Sequence, residues 1–352
     1  MNSTDFLMAL LAIPSPTYQE KEKCDFISDW VNEHLPMLSM ERTGNNLIIS
    51  SQKTSLPTLA FVGHTDTVPE FFEPYKDGHL LHGAGASDMQ GGLACMLSFI
   101  HNHLTALLEK YRVMIIIYDK EEGTPIEENG LFELIQEKKA LLSDIDVAIV
   151  GEPTNNTVQL GCVGSLHYTL KVKGKAAHSA RPWHGENALY KALPIIQYFS
   201  TLTPIKQQVF GVDFFDVMTI TESSVTPGRT TVPDEWTANI NYRFSPVHEL
   251  DDAHAHVTKA VESCGVAHEL TCLNAVNAGR VIDHPILTAI QPLVPIEAKQ
   301  AWTDVAQLTE LGICAFNFGP GRQDQAHMPN ECIDTNDMND YESMLNRMLL
   351  GG

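Results

Sequence analysis

Two observations predict an α/β chain: four short apolar runs that each stop on a histidine, a carboxylate or a glycine turn, and a central stretch whose apolar residues alternate with polar ones. The expected architecture is a layered α/β/α domain formed by residues 1–163 and 276–352, with a smaller α+β domain inserted at 164–275. The runs are Thr58–Val62, leading into Gly63-His64-Thr65-Asp66; Val113–Tyr118, leading into Asp119-Lys120-Glu121-Glu122; Val147–Val150, leading into Gly151-Glu152; and Ile313–Phe318, leading into Gly319-Pro320-Gly321 with His327 beyond. Apolar runs this short, bounded by turn residues, read as parallel strands buried on both faces. In an open α/β sheet the ligand crevice lies outside the carboxyl ends of such strands. Groups far apart in sequence are therefore expected on one rim, where two histidines and several carboxylates suit a pair of divalent metals.

The remaining elements follow in order. Residues 4–11 and 20–34 read as helices, the second through the apolar spacing of Phe26, Ile27, Trp30 and Val31. A strand is expected at 46–50, and Gly91-Gly92 opens a helix just after Asp88. In the central stretch Leu166, Tyr168, Leu170 and Val172 alternate with polar residues, as on a strand with one wet face. A helix over 186–199, strands at 215–221 and 235–243, a helix over 248–263 and a strand at 266–273 complete it. That β-α-β-β-α-β order is ferredoxin-like. No internal repeat is evident.

Composition narrows the function. Hydrophobic residues make up 43% and charged residues 19%, the balance of a globular protein. The net charge of −21 argues against nucleic acid or an anionic membrane as partner, since both need a basic surface. No apolar run approaches the roughly 18 residues of a membrane span, and residues 1–6 lack a basic leader, so a cytoplasmic location is expected. The seven cysteines form no C-x-x-C pair and read as reduced structural thiols.

The chemistry-bearing residues each have a plain reading beside the functional one. His64 and Asp66 share a face of extended backbone, which suits a metal-binding imidazole oriented by a carboxylate; a lone H-x-D also arises by chance. Asp88, taken alone, is better explained as an N-cap. Adjacent Glu121 and Glu122 repel each other unless a cation or proton compensates, so one suits a metal and the other proton transfer; a solvated acidic loop is the alternative, and Glu127-Glu128 fits it. Glu152 repeats the strand-then-carboxylate pattern, and His327 offers a second imidazole. Three carboxylates facing two divalent ions leave residual positive charge that favours hydroxide. The pairs His101/His103 and His254/His256 point apart on predicted helices and read as solvated. The role of His178 is open at this level.

The stretches GHTDTVP (63–69), GASDMQGG (85–92), KEEG (120–123), GEPT (151–154), AHSARP (177–182), YRFSP (242–246), NFGPG (317–321) and AHMPNE (326–331) together resemble the M20 family of dinuclear zinc aminoacylases and exopeptidases. They span nearly the whole chain in family order. The resemblance implies two zinc ions per subunit, with cobalt or manganese accepted. His64 and Glu152 would bind one, Glu122 and His327 the other, and Asp88 would bridge them. Asp66 would hold His64, and Glu121 would be the general base. The insertion would act as lid and dimer contact in a homodimer, and His178 would reach the neighbouring subunit's site to stabilise the oxyanion. Arg181, Arg243 and Gly319 would contact the substrate. At Thr230 the family more often has Asn, and at Lys120 an acidic or small residue; the Lys120 ammonium either lowers the Glu121 pKa or points to solvent.

What the resemblance implies is metal-assisted hydrolysis of a linear amide in a small N-acyl amino acid. N-succinyl-LL-2,6-diaminopimelate, which feeds lysine and diaminopimelate biosynthesis, is the leading expectation. N-acetylornithine, another acyl amino acid or a short peptide is the alternative. A non-enzymatic metal-binding protein is disfavoured by Glu121, because a structural site needs no uncoordinated base.

Overall fold

In the computed structural model, residues 2–351 are described, and they form two compact units. The larger holds the chain up to Gly161, Val281–Glu297 and everything from Gln307; the smaller holds Cys162–Arg280 and Ala298–Ala306.

The larger unit is organised by its four apolar runs. Strands Arg112–Tyr118, Thr58–His64, Val147–Val150 and Cys314–Asn317 lie side by side and mutually parallel at the centre of an eight-stranded sheet. All their residues are buried, as their unbroken hydrophobicity requires. Asn46–Ser50 and then Ser39–Thr43 extend one side antiparallel. Val158–Leu160, antiparallel to Cys314–Asn317, and then Ile296–Ala298 extend the other. The register pairs His64 with Tyr118, Val62 with Val150 and Asn317 with Val150, so the carboxyl ends fall in two level pairs two residues apart, all at the same side of the sheet.

Helices Ser3–Leu11 and Lys21–His34 match the expected spans, and the first is capped by the Asn2 side chain. Gly130–Leu142 and Thr335–Leu349 are helices the sequence reading passed over. Helix Gly91–Leu108 packs against Ser3–Leu11, Thr335–Leu349 and the two strands Thr58–His64 and Arg112–Tyr118. With the turn before it, this helix is the one stretch of described residues long and apolar enough to cross a membrane, contrary to the expectation that none is. Its most apolar window is 61% buried within the protein, which is the packing of a core helix.

The smaller unit carries a five-stranded antiparallel sheet in the order Ile205–Val209, Val212–Val225, Glu235–Phe244, Gly164–Lys173, Glu269–Val276. Without the edge strand Ile205–Val209 this is the ferredoxin-like order, with helices Ala188–Thr201 and Leu250–Glu262 in the expected places. Leu166, Tyr168, Leu170 and Val172 join Trp236, Ala238, Ile240 and Tyr242 in one core with both helices. Alternate residues of these strands therefore occupy the opposite face. The unit exceeds the expected 164–275 because the Cys162 and Gly279 backbones exchange two hydrogen bonds of 3.0 Å, and the Gln300 side chain pairs with the Phe215 backbone.

Neither His254 nor His256 is simply solvated, contrary to expectation. Each ring meets a tyrosine hydroxyl, His254 that of Tyr168 and His256 that of Tyr242.

Buried Asp216 ties this unit's loops together. It accepts from the Ser245 N–H at 2.7 Å, meets His248 Nε2 at 2.9 Å and takes a bond from Gln207 at 3.1 Å. Burial pushes its carboxyl up, but the Ser245, His248 and Gln207 bonds together hold it below the usual range. A depressed folded pKa gives stability that is present above the ordinary carboxylate pKa and lost as pH falls through the folded value. Asp216→Asn is therefore expected to lower unfolding free energy by about 1.5–3 kcal/mol at neutral pH. Denaturant titrations at descending pH should show that gap closing, and a gap unchanged by acid would refute the assignment.

Candidate metal centre and active site

Each central strand delivers its site residue at its end, where the backbone leaves the sheet. His64 is the last residue of its strand and fully buried. Its Nδ1 lies 3.0 Å from the Asp66 carbonyl oxygen and 3.3 Å from Asp66 Oδ1, so that side of the ring is committed. Its Nε2 faces Asp88 Oδ1 at 3.5 Å and Glu152 Oε1 at 3.7 Å and makes no hydrogen bond among the described residues. The other oxygen of Asp88 lies 3.5 Å from His327 Nε2, which is 2.9 Å from Glu122 Oε2. Two nitrogens and three carboxylates thus converge, with Asp88 facing one histidine through each oxygen. Donor atoms of His64, Asp88 and Glu122 all fall within 4.8 Å of one another.

This donor set fits divalent metal. A buried imidazole nitrogen with no proton partner is costly unless something binds it. Separations of 3.5–3.7 Å are long for hydrogen bonds. They are close to the ~3.4 Å expected between ligands arranged tetrahedrally around an ion at 2.0–2.1 Å.

Asp88 is not an N-cap. Helix Gly91–Leu108 begins after Gln90, and Asp88 has extended backbone (φ −118°, ψ 96°) in the turn Ala86–Gln90. Gly85 enters this turn at φ +82°, a conformation glycine adopts without strain. The turn is held by a residue the sequence reading missed. Glu331, buried, accepts the N–H groups of Gly85, Ser87 and Asp88 at 2.7–2.8 Å. Strand Cys332–Asp334 pairs with Leu80–His82, which brings Glu331 against that turn. Burial, with the nearby Asp88 charge adding to it, pushes the Glu331 carboxyl up to about 7 against the pull of these donors.

Asp66 anchors the glutamate pair. Its Oδ1 accepts the Glu121 N–H at 3.0 Å, and its Oδ2 accepts the Glu122 N–H at 2.8 Å and the Thr17 hydroxyl at 3.1 Å. Burial raises its pKa, yet the His64 interaction and the two backbone donors hold it low. Burial works against a charged His64, but Asp66 and Asp88, with the Glu121 charge, hold its pKa well above the usual value. On His327 the Glu122 hydrogen bond outweighs burial and lifts the pKa to about 9. Lys120 does not simply point to solvent: its ammonium pairs with Glu133 at 3.0 Å and Asp119 at 3.6 Å.

Gly319 sits where two strand ends meet. A Cβ there would lie 2.4 Å from the Glu152 carbonyl oxygen, and the Thr154 hydroxyl bonds both its N–H and its carbonyl. The glycine thus sets the approach of the Glu152 turn, in addition to the substrate contact expected of it.

In the smaller unit, His178 and Thr230 are brought together. Ala177–His178 pairs with Thr231–Val232, and the Ser179 N–H donates to the Thr230 carbonyl at 2.8 Å. His178 Nδ1 accepts the Ala180 N–H at 3.1 Å, which leaves Nε2 to carry the proton of a neutral ring. Arg181 follows in the same turn, its N–H donating to the His178 carbonyl. His178, Arg181 and Thr230 are exposed, whereas Arg243 is half-buried on the sheet.

Residues 60–351 match the profile of Peptidase family M20/M25/M40. The succinyl-diaminopimelate desuccinylase of Corynebacterium glutamicum is 31% identical over 350 residues, covering 97% of this chain and 94% of that protein. Aminopeptidase PepT from Bacillus cereus shares the fold with a TM-score of 0.78 at 15% identity, over 99% of this chain and 97% of its own. A dinuclear metal binding peptidase of the M20 family from Bacillus subtilis does so with a TM-score of 0.70 at 14% identity, over 99% and 96%. The chain therefore belongs to peptidase family M20/M25/M40 and is a metal-dependent hydrolase of amide bonds.

Proposed function

We propose that the protein hydrolyses the succinyl amide of N-succinyl-LL-2,6-diaminopimelate, releasing succinate and LL-2,6-diaminopimelate for lysine and diaminopimelate biosynthesis. The relatives named for that activity support the substrate. The observation that carries the chemistry is the convergence of five donors beside a glutamate whose backbone Asp66 anchors. His64 and Glu152 would hold one ion, Glu122 and His327 the other, and Asp88 both; zinc is our assignment, with cobalt or manganese as substitutes. Divalent ions there supply polarisation of the amide carbonyl and acidification of water. Glu121 accepts the proton of the attacking water and returns it to the leaving nitrogen. Arg181 and Arg243 meet substrate carboxylates, and Thr230 and Gly319 line the acyl-amino-acid site.

Dimerisation through the smaller unit is part of the reading. Tyr190, Leu193, Leu202 and Ile205 are exposed on helix Ala188–Thr201 and around the edge strand Ile205–Val209. An unpaired edge beside an apolar stripe suits pairing with a second copy. His178 of the partner subunit then donates a hydrogen bond from its Nε2–H to the oxyanion. His178→Ala is expected to lower kcat roughly 100-fold, the weight of one oxyanion donor, with metal content and dimer mass unchanged. Loss of metal in that variant would contradict the role. The seven free cysteines suit the cytoplasm, where we place the enzyme.

Amine release measured at matched concentration over N-succinyl-diaminopimelate, N-acetylornithine, other N-acyl amino acids and di- and tripeptides tests the substrate. The succinylated compound should give the highest kcat/KM. A higher value for N-acetylornithine or a peptide would overturn the assignment.

A further inference from the structure

The face of the smaller unit's sheet that lies opposite its helices carries a connected polar chain running to Arg243. Residues 239, 241 and 243 alternate onto this face, and the register sets Asn241 opposite His167. Arg243 Nε donates to Asn241 Oδ1 at 3.2 Å. No carboxylate pairs with Arg243 among the described residues, although the side chain is half-buried and burial lowers its pKa. A guanidinium so placed has its outer nitrogens available for a planar anion.

The orientation of Asn241 is over-determined. With Oδ1 taken by Arg243, its Nδ2 donates to the Leu166 carbonyl at 3.1 Å and lies 3.1 Å from His167 Nε2. An amide NH₂ only donates, so Nε2 must be the unprotonated nitrogen of His167. The proton then sits on Nδ1, 3.2 Å from the Asn239 amide, which also meets the Thr221 hydroxyl. The atom set there is Asn239 Nδ2, so a proton on Nδ1 requires the Asn239 amide to be turned over, its O and N interchanged, so that the carbonyl oxygen accepts from the ring and from the Thr221 hydroxyl. The charges around the ring are those of Arg243 and Glu222; burial, reinforced by Arg243, holds the imidazole below its ordinary pKa. The same face forms a depression of about 590 Å³ bordered by His167, Thr169, Glu222 and Asn239.

We propose that Asn241 and His167 are positioning residues for Arg243, the neutral imidazole locking the Asn241 amide, which in turn fixes the guanidinium that grips a substrate carboxylate. The claim rests on the reading that Arg243 meets such a carboxylate. It assigns the Nε2-unprotonated tautomer of His167 a part in substrate affinity, with no part in the proton transfers.

Steady-state kinetics on the metal-loaded dimer, with a double-mutant cycle, test it. Asn241→Ala and His167→Leu should each raise KM for the succinylated substrate about tenfold with kcat nearly unchanged. His167→Gln, whose side-chain oxygen replaces the Nε2 acceptor, should recover most of the loss. In an Arg243→Ala background the Asn241→Ala change should have almost no further effect on KM. An undiminished effect in that background overturns the proposal, as does a folded His167→Leu enzyme with unchanged KM. If Arg243→Ala itself leaves KM unchanged, the substrate reading of Arg243 falls. The positioning network is then judged by ¹⁵N NMR of His167: a ring protonated only on Nδ1 supports it, and a proton on Nε2 refutes it.

Discussion

Replacing Glu121 by Gln is expected to reduce kcat by roughly 10²–10⁴-fold, the range spanned by general acid–base catalysis, while the protein retains its full complement of metal. The two halves of that outcome have separate causes. Five other residues supply the converging donors, so the ion cradle does not need the Glu121 side chain. The Glu121 backbone is fixed independently, through its N–H on Asp66, and Gln preserves both that bond and the side-chain shape. What Gln lacks is a basic oxygen to take a proton from water. Metal stoichiometry by atomic emission, together with kcat on the succinylated substrate, separates the possibilities. Near-normal turnover would remove Glu121 as the base. A parallel fall in bound metal would make it a ligand instead.

The part of the fold that positions the site was legible because both faces of the four central strands are buried. Burial on both faces leaves an unbroken apolar run, and the residue that follows each run sits on the rim. The strands Tyr75–Asp77, Leu80–His82 and Cys332–Asp334 have three residues each, too few for any alternation to register. Helix Gly130–Leu142 is interrupted at Lys138, whose backbone leaves helical geometry, and this weakens its periodicity. Within the site, His64, Asp66, Glu122 and Glu152 announce themselves by following strands. Glu331 does not, because its work is done on backbone N–H groups more than 240 residues away, which no local pattern records. Asp88 shows the opposite problem. An acid shortly before a helix has a common local explanation, and it takes the helix start after Gln90 and the distances to His64 and His327 to displace it.

Asp66→Asn should differ from Glu121→Gln in losing metal affinity as well as turnover, although the substitution keeps the number of heavy atoms and Asp66 is not one of the five converging donors. The carboxylate is fully buried and accepts at both oxygens, from the Glu121 N–H on one and the Glu122 N–H on the other. Whichever way an asparagine amide is turned, its NH₂ confronts one of those N–H groups. One buried donor is then left unpaired, at a cost of about 1–3 kcal/mol, and the segment carrying Glu122 relaxes away from His327. His64 keeps the Asp66 carbonyl oxygen as a partner for Nδ1, so its tautomer survives, but it loses the negative charge that strengthens its other nitrogen as a ligand. A 10- to 100-fold fall in metal affinity is the expected scale for removing such support. Chelator competition reads that loss directly, and assays at saturating metal isolate the remaining defect caused by displacement of Glu121. If Asp66→Asn held metal and turned over as the natural protein does, the carboxylate would be a packing element, and the coupling between the imidazole and the glutamate pair would have to be abandoned.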